Sequence, residues 1–281
     1  MELLREKYVW VCFLLLSFAA TSSVTTRQTR THCKTTCGNL TLEFPFGTSP
    51  RCVPDERFLV ICKEREGKAF LNTTKQEVLS ISSDGELQVL VDILRVCKNN
   101  TGGVDEGRET DRIEDAGFTF SDKNQVTLVG CNVDASWDYF TGVGDSSDSC
   151  VTHCSSSQPI HDDSCSGNGC CKYPVTSGGA YGLWVETTGF FNPCIYAFIV
   201  KAGYFFFSGE QDLENLRNVT RFPVILDWTM EGTCQTSSCG LNTYCTNHTS
   251  RRGPSYSCKC LKGFEGNPYF PYGCNGIPSF T

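Results

Sequence analysis

Past its N-terminal stretch, this chain places apolar side chains mostly at every second position, the period of a strand with one buried face. Glu77-Val78-Leu79-Ser80-Ile81-Ser82 and Glu86-Leu87-Gln88-Val89-Leu90-Val91 alternate in this way around Ser83-Asp84-Gly85, an Asp-Gly turn signal, and so predict a β-hairpin. Phe118-Thr119-Phe120, Val126-Thr127-Leu128-Val129 and Phe222-Pro223-Val224-Ile225-Leu226 read as further short strands, the last kept near an edge by its proline. Phe190 to Phe207 is the most apolar stretch after the N-terminus, but Asn192-Pro193 breaks it and Lys201 interrupts it. Its unbroken part, Cys194 to Val200, is seven residues. A bilayer span needs roughly 20, so the stretch predicts a buried strand pair. Glu210 to Arg217 is the best helical segment, and it is short. The expected fold class is mainly β.

The first residues follow another pattern. Arg5 and Lys7 precede an almost wholly apolar run from Val9 to Ala20, and Ala19-Ala20-Thr21-Ser22-Ser23 offers small residues for cleavage. That is the layout of a secretory signal peptide over residues 1–23, too short in its apolar part to be an anchor. Secretion changes the meaning of the 19 cysteines. Cys12 leaves with the leader, and the even remainder reads as disulfides rather than metal ligands or redox centres. Adjacent Cys170 and Cys171 are expected to take different partners, because a bridge between neighbours is strained. Five sequons, at Asn39, Asn72, Asn99, Asn218 and Asn247, mark candidate glycosylation sites on the surface.

Net charge is −7, unevenly spread. Residues 27–75 hold nine Lys/Arg against five Asp/Glu, whereas residues 76–163 hold five against seventeen. An acidic chain without a basic, aromatic-interleaved stripe is not a nucleic-acid binder. An anionic ligand would have to use the first segment. The acids Asp105, Glu106, Glu109, Asp111, Glu114 and Asp115 read as a solvated loop, although such a run could also hold calcium that bridges to an acidic polymer. Between Asp134 and Gly179 the composition turns to Ser, Gly, Asp and Cys, which suggests a join between two modules.

The C-terminal cysteines run Cys234-x4-Cys239-x5-Cys245-x12-Cys258-x-Cys260-x13-Cys274, with Gly263-Phe264 after the fifth. Spacing alone leaves the pairing open. The pattern is similar to an EGF-like domain, which implies bridges Cys234–Cys245, Cys239–Cys258 and Cys260–Cys274. Met230-Glu231-Gly232-Thr233 offers one carboxylate before the first cysteine, too little for the calcium-binding variety, since calcium takes six to eight oxygens. No metal site is expected in the protein.

At the other end stand Cys33-x3-Cys37-Gly38-Asn39-Leu40-Thr41-Leu42-Glu43-Phe44-Pro45-Phe46-Gly47, then Cys52 and Cys62. Val129-Gly130-Cys131-Asn132, Gly167-Asn168-Gly169-Cys170-Cys171, Asn192-Pro193-Cys194-Ile195-Tyr196-Ala197-Phe198 and Gly263-Phe264-Glu265-Gly266-Asn267-Pro268-Tyr269 follow in order. Together these resemble the extracellular part of plant wall-associated receptor kinases. The resemblance implies a galacturonan-binding β domain over residues 28–135, a cysteine-rich wall-associated module over 136–233, an EGF-like domain over 234–274 and a tail over 275–281. It implies binding to pectin or oligogalacturonides in the cell wall, by a secreted or extracellular chain whose relatives are plasma-membrane receptors. No kinase motif and no span beyond the signal peptide are read in this sequence, so neither is carried over. Alternatives are a module that engages a protein partner through its EGF-like end, or a soluble decoy of a receptor.

A polygalacturonate offers one carboxylate per sugar, and guanidinium groups pair such carboxylates through parallel N–H···O bonds. Arg51, Arg57, Lys63, Arg65 and Lys68 are the candidate ligand-binding group. Phe44 and Phe46 could stack on sugars, but Leu42 and Pro45 beside them favour core packing. No histidine among His32, His153, His161 and His248 sits in a nucleophile signature, and irregular spacing of His153, Cys154, His161 and Cys165 argues against zinc. No catalytic residue and no cofactor are expected.

Overall fold

The structure is a computed structural model. It describes residues 33–277 except 83–85, 99–103, 106–112, 114–116, 141–144, 155–159, 161–164, 177–179, 188–191, 238 and 251. The leader, the Ser83-Asp84-Gly85 turn, Asn99, His32, His161 and most of the acidic run after Asp105 lie outside the described residues.

Strands dominate, and every pairing between them is antiparallel. A six-stranded sheet runs Val60–Lys63, Lys68–Leu71, Glu77–Ile81, Leu87–Asp92, Arg221–Trp228, Phe118–Phe120 in spatial order. A five-stranded sheet runs Cys170–Pro174, Asn124–Val129, Cys194–Lys201, Leu94–Lys98, Val104–Asp105. A three-stranded sheet joins Asp145–Thr152, Val133–Phe140 and Ala180–Thr187. Both large sheets therefore draw strands from either side of residue 135, where composition had suggested a join. The reason is long-range pairing: Arg221–Trp228 lies between Leu87–Asp92 and Phe118–Phe120, in register Val224 with Val89 and Leu226 with both Leu87 and Phe120.

That strand is flanked on both sides rather than at an edge, but Pro223 falls in the half that Phe118–Phe120 does not reach. Its missing N–H costs no ladder bond on that side. The apolar stretch near residue 200 also differs from expectation. It supplies one central strand, Cys194–Lys201, buried from Cys194 to Val200. The aromatics after it form a loop folded back onto that strand, with Phe205 5.2 Å from Phe198, centroid to centroid, and Phe222 of the strand Arg221–Trp228 packs 4.4 Å from the same ring. The helical segment is a single α-turn, Asp212–Asn215, between 3-10 turns at Gly209–Gln211 and Leu216–Asn218.

One core joins the inward faces of the sheets, including Leu71, Val89, Leu128, Trp137, Ala197 and Leu226. Inside it Asn124 is buried yet satisfied: its Nδ2 donates to Ser121 O at 2.8 Å and Ile225 O at 2.7 Å, and its Oδ1 accepts from Ile225 N at 2.8 Å. This one amide ties the five-stranded sheet to the six-stranded one, and each bond is stronger for being shielded from water.

Nine disulfides are formed. Cys170 pairs with Cys165 and Cys171 with Cys150, so the adjacent cysteines do take different partners. The C-terminal module, strands Met230–Glu231, Thr243–Ser250 and Gly253–Cys260 with the pair Phe264–Gly266 and Cys274–Gly276, carries Cys234–Cys245, Cys239–Cys258 and Cys260–Cys274. Phe44 and Phe46 are core residues: Phe46 packs edge-on against Phe58 and Trp228, and Phe44 meets Tyr269 and Phe270 of the C-terminal module. Asn267 Nδ2 donates to Phe44 O at 2.7 Å across the same contact.

Candidate functional site

Alternation along the first strands of the six-stranded sheet sends Val60, Ala69, Leu71 and Val78 into the core. Register then fixes the opposite, outward face: Ile61 lies across from Phe70, Lys63 across from Lys68, and Phe70 across from Glu77. Lys63 Nζ sits 4.6 Å from the centre of the Phe70 ring, a cation–π contact that holds the ammonium over an apolar patch. Lys68 Nζ is 2.9 Å from Glu77 Oε1 and 3.1 Å from Oε2. Arg221, at the start of a strand far along the chain, brings its guanidinium 3.4 Å from Glu77 Oε2. Glu77 is only 8% exposed, so its carboxylate is sunk between two cations that themselves face solvent.

The turn between Lys63 and Lys68 carries Arg65, exposed and without a partner among the described residues. This turn is pinned from behind. A Cβ on Gly38 would lie 2.4 Å from Gly67 O, and Gly38 has φ +57°, so only glycine lets the two backbones approach so closely there. Cys37–Cys62 and Cys33–Cys52 cross-link the same corner, and Lys34 pairs with Glu64 on the turn. Arg51, beside Cys52, is exposed at this corner without an ion pair among the described residues.

The five candidate cations are therefore not one group. Lys63 and Lys68 share the sheet face, Arg65 lies on the turn joining their strands and Arg51 at the adjoining bridged corner, but Arg57 is 5% exposed and belongs to the interior. Its guanidinium lies 4.7 Å from the Phe58 ring centre and 3.7 Å from Asp55 Oδ2. Burial pulls its pKa below the ordinary arginine value, Asp55 and Glu231 oppose that, and Arg252 adds to it. A side chain on Gly117 would meet Arg57 Nη1 at 2.8 Å, so the chain wraps tightly over this arginine. Arg57 thus lies in the interior, within electrostatic reach of Glu231 and Arg252, and apart from the exposed cations. Its sequence neighbourhood, Asp55-Glu56-Arg57-Phe58, looks like any solvated turn, and the burial follows from packing of distant segments.

Sequence reasoning missed Glu77 and Arg221 as parts of this face. Glu77 stood as the polar start of an alternating strand, and no spacing links it to Arg221; only the Leu87–Asp92 strand between them brings the two together.

Elsewhere, Asn39, Asn218 and Asn247 are exposed and Asn72 is half-buried. Asn247 Oδ1 accepts from Cys234 N at 2.7 Å. Cys154 and Cys165 of the irregular His/Cys cluster are bridged to Cys131 and Cys170. Cys239, Cys245 and Cys258, whose sulfurs lie within 4.8 Å of one another, are likewise all in disulfides. Nε2 of His248 is 2.7 Å from Ser257 Oγ; desolvation, then Lys259, lowers its pKa, against an opposing pull from Asp227.

Residues 33–92, which hold the sheet face, the turn and the bridged corner, match the model of the wall-associated receptor kinase galacturonan-binding family. Over 89% of its length the chain is 41% identical to Wall-associated receptor kinase 2 of Arabidopsis thaliana. The chain is a relative of the wall-associated receptor kinases. Wall-associated receptor kinase 1 of the same plant is 37% identical over 98% of the chain, and Wall-associated receptor kinase-like 10 is 26% identical over 87%. The chain spans 35–39% of the length of these relatives. No solved structure matches it. No helix among the described residues is long and apolar enough to cross a membrane.

Proposed function

We propose that this chain is the extracellular part of a wall-associated receptor-type protein and binds de-esterified galacturonan, the acidic backbone of pectin, on the outward face of its six-stranded sheet. The observation that carries the reading is the position of Lys63, Lys68 and Phe70 on one flat, solvent-facing sheet surface inside the segment that matches the galacturonan-binding family, with Arg65 on the adjoining turn. An extended polyanion needs cations at repeated intervals, and a sheet spaces same-face side chains along a strand by about 6–7 Å. Phe70 and Ile61 add an apolar surface on which a sugar ring can rest.

The reading places the protein outside the cell, in the wall, with exposed Asn39, Asn218 and Asn247 available for glycans. Kinase activity belongs to the relatives whose names carry it and is not assigned to this chain. Exposed Leu241 and Tyr272 leave room for a protein contact at the C-terminal module, a reading that no further feature strengthens.

Calorimetry of the purified protein with oligogalacturonides across a salt series tests the proposal. Binding that is measurable at low ionic strength and fades as salt screens the charges supports it. Absence of binding at low salt, or equal binding of a fully methyl-esterified pectin, rejects it.

A further inference from the structure

Resting on that reading, we propose that Lys68 and Arg221, held on either side of Glu77, are the carboxylate-selecting subsite of the face, so that a residue outside the family-matched segment 33–92 decides whether a uronate is free or esterified. Donors outnumber acceptors in this cluster. An ammonium carries three N–H groups and a guanidinium five, while Glu77 offers one carboxylate. Lys68 Nζ engages both Glu77 oxygens, at 2.9 and 3.1 Å, but Arg221 reaches only one of them, through Nη1 at 3.4 Å, too long for a strong charge-assisted bond. Most of the Arg221 fork is therefore unengaged among the described residues, and Arg221 and Lys68 are 38% and 44% exposed.

The triad carries one net positive charge and opens outward, with exposed Asp92 across the strand pair from Arg221. Its anion is nearly buried, so Glu77 holds the two cations at a fixed separation without presenting a repelling surface of its own. A second carboxylate arriving from solvent completes an alternating arrangement of two cations and two anions. A methyl ester brings no charge, leaves the guanidinium fork unpaired and loses the charge-assisted bonds. Phe70, paired with Glu77 across the strands, gives the adjoining sugar an apolar seat.

The Arg221 backbone is held in the sheet. It pairs with Asp92 at the end of the ladder between Leu87–Asp92 and Arg221–Trp228. The site therefore forms only when the late strand has added to the early hairpins, and residues 33–92 by themselves would lack it.

The test compares the full mature chain with Arg221→Ala, Arg221→Lys, Glu77→Gln and, as a control cation in the C-terminal module, Lys262→Ala. Calorimetry uses a de-esterified and a methyl-esterified oligogalacturonide, and thermal melts confirm folding. Arg221→Ala is expected to weaken the de-esterified ligand about tenfold, the size of one charge-assisted contact, and to leave the esterified one unchanged. Arg221→Lys keeps the charge and is expected to recover only part of that loss. Glu77→Gln keeps an acceptor for Lys68, raises the charge of the triad from one to two and is expected to tighten the de-esterified ligand by about threefold. These opposite signs separate a ligand subsite from a structural ion-pair cluster, which would respond to both substitutions with lower stability and no gain in affinity. Wild-type binding with unaltered affinity in folded Arg221→Ala and Arg221→Lys overturns the inference while sparing the sheet-face reading. Loss in Lys262→Ala equal to that in Arg221→Ala also overturns it, because only general charge would then matter. No binding by wild type defeats the sheet-face reading itself.

Discussion

Two outward sheet faces of this molecule are built alike but carry different sets of charges. On the six-stranded sheet, Lys63, Lys68 and Arg221 surround one sunken acid and an aromatic ring. On the three-stranded sheet, register sets Asp134 opposite Glu186 on one side and Val151 on the other, Ser136 opposite Trp184 and Ser149, and Asp138 opposite Ser147. Inward partners Val133, Ala135, Trp137 and Leu183 are buried, so the acids and Trp184 face solvent. No ion pair involving Asp134, Asp138 or Glu186 occurs among the described residues. The difference teaches that a net charge of −7 describes neither face, and that partner choice is set where the strands sort opposite charges to different surfaces.

The largest test of this contrast removes the anchor of the acidic sheet. Trp137 is fully buried and packs, tilted, with its ring centre 5.5 Å from that of Tyr173 of the five-stranded sheet. Trp137→Ala is expected to cost about 3–5 kcal/mol by the cavity it leaves. Urea unfolding should show that loss while oligogalacturonide affinity, measured on the folded fraction, stays put; a parallel fall in affinity would mean the two faces are not independent.

Reversing charge on the basic face should come next. Lys63→Glu with Arg65→Glu is expected to weaken de-esterified ligand by about a hundredfold at low salt, mainly through lost electrostatic complementarity. Unchanged binding would move the site elsewhere.

A smaller effect of opposite sign is expected from the acidic face. Asp134 and Glu186 are like charges directly across a strand pair, which is destabilising. Asp134→Asn with Glu186→Gln should raise stability by about 0.5 kcal/mol and leave ligand affinity within roughly twofold. A drop in the unfolding midpoint would show that these carboxylates have favourable partners after all.

The smallest expected change is a background that any pH study of the faces must subtract. His248 has a folded pKa below its unfolded value, chiefly through desolvation. An unfolded chain therefore binds the proton more readily, so this residue's contribution is fully present above the unfolded pKa of about 6.5 and is lost as pH falls through it toward the folded value. Urea midpoints of His248→Gln across that window should be flatter than those of wild type, and identical slopes would discard the assignment.

Much of the fold was legible locally. Glu77–Ile81 and Leu87–Asp92 form as the alternation predicts, except that a bulge between Val78 and Ser80 shifts the phase and brings Ile81 opposite buried Leu87, against the core. Phe44 and Phe46 are core residues for the reason their apolar neighbours suggested. The aromatic run after Val200 misled because a continuous apolar stretch cannot distinguish a second strand from a loop that packs against the first. At the candidate site, Lys63 and Lys68 were readable as members of a basic segment. Burial of Arg57 and arrival of Arg221 were not, since both depend on contacts between segments that share no local pattern.

The strand that begins with Arg221 ends at Trp228, two residues before the C-terminal module's first strand, and Trp228 packs on Tyr269 of that module at 5.2 Å. A pull on anything held at Arg221 therefore runs along one hydrogen-bonded strand straight into the next module. Tension applied at the sheet face would thereby reach the far module along a continuous strand and the Trp228–Tyr269 contact, not through a slack tether.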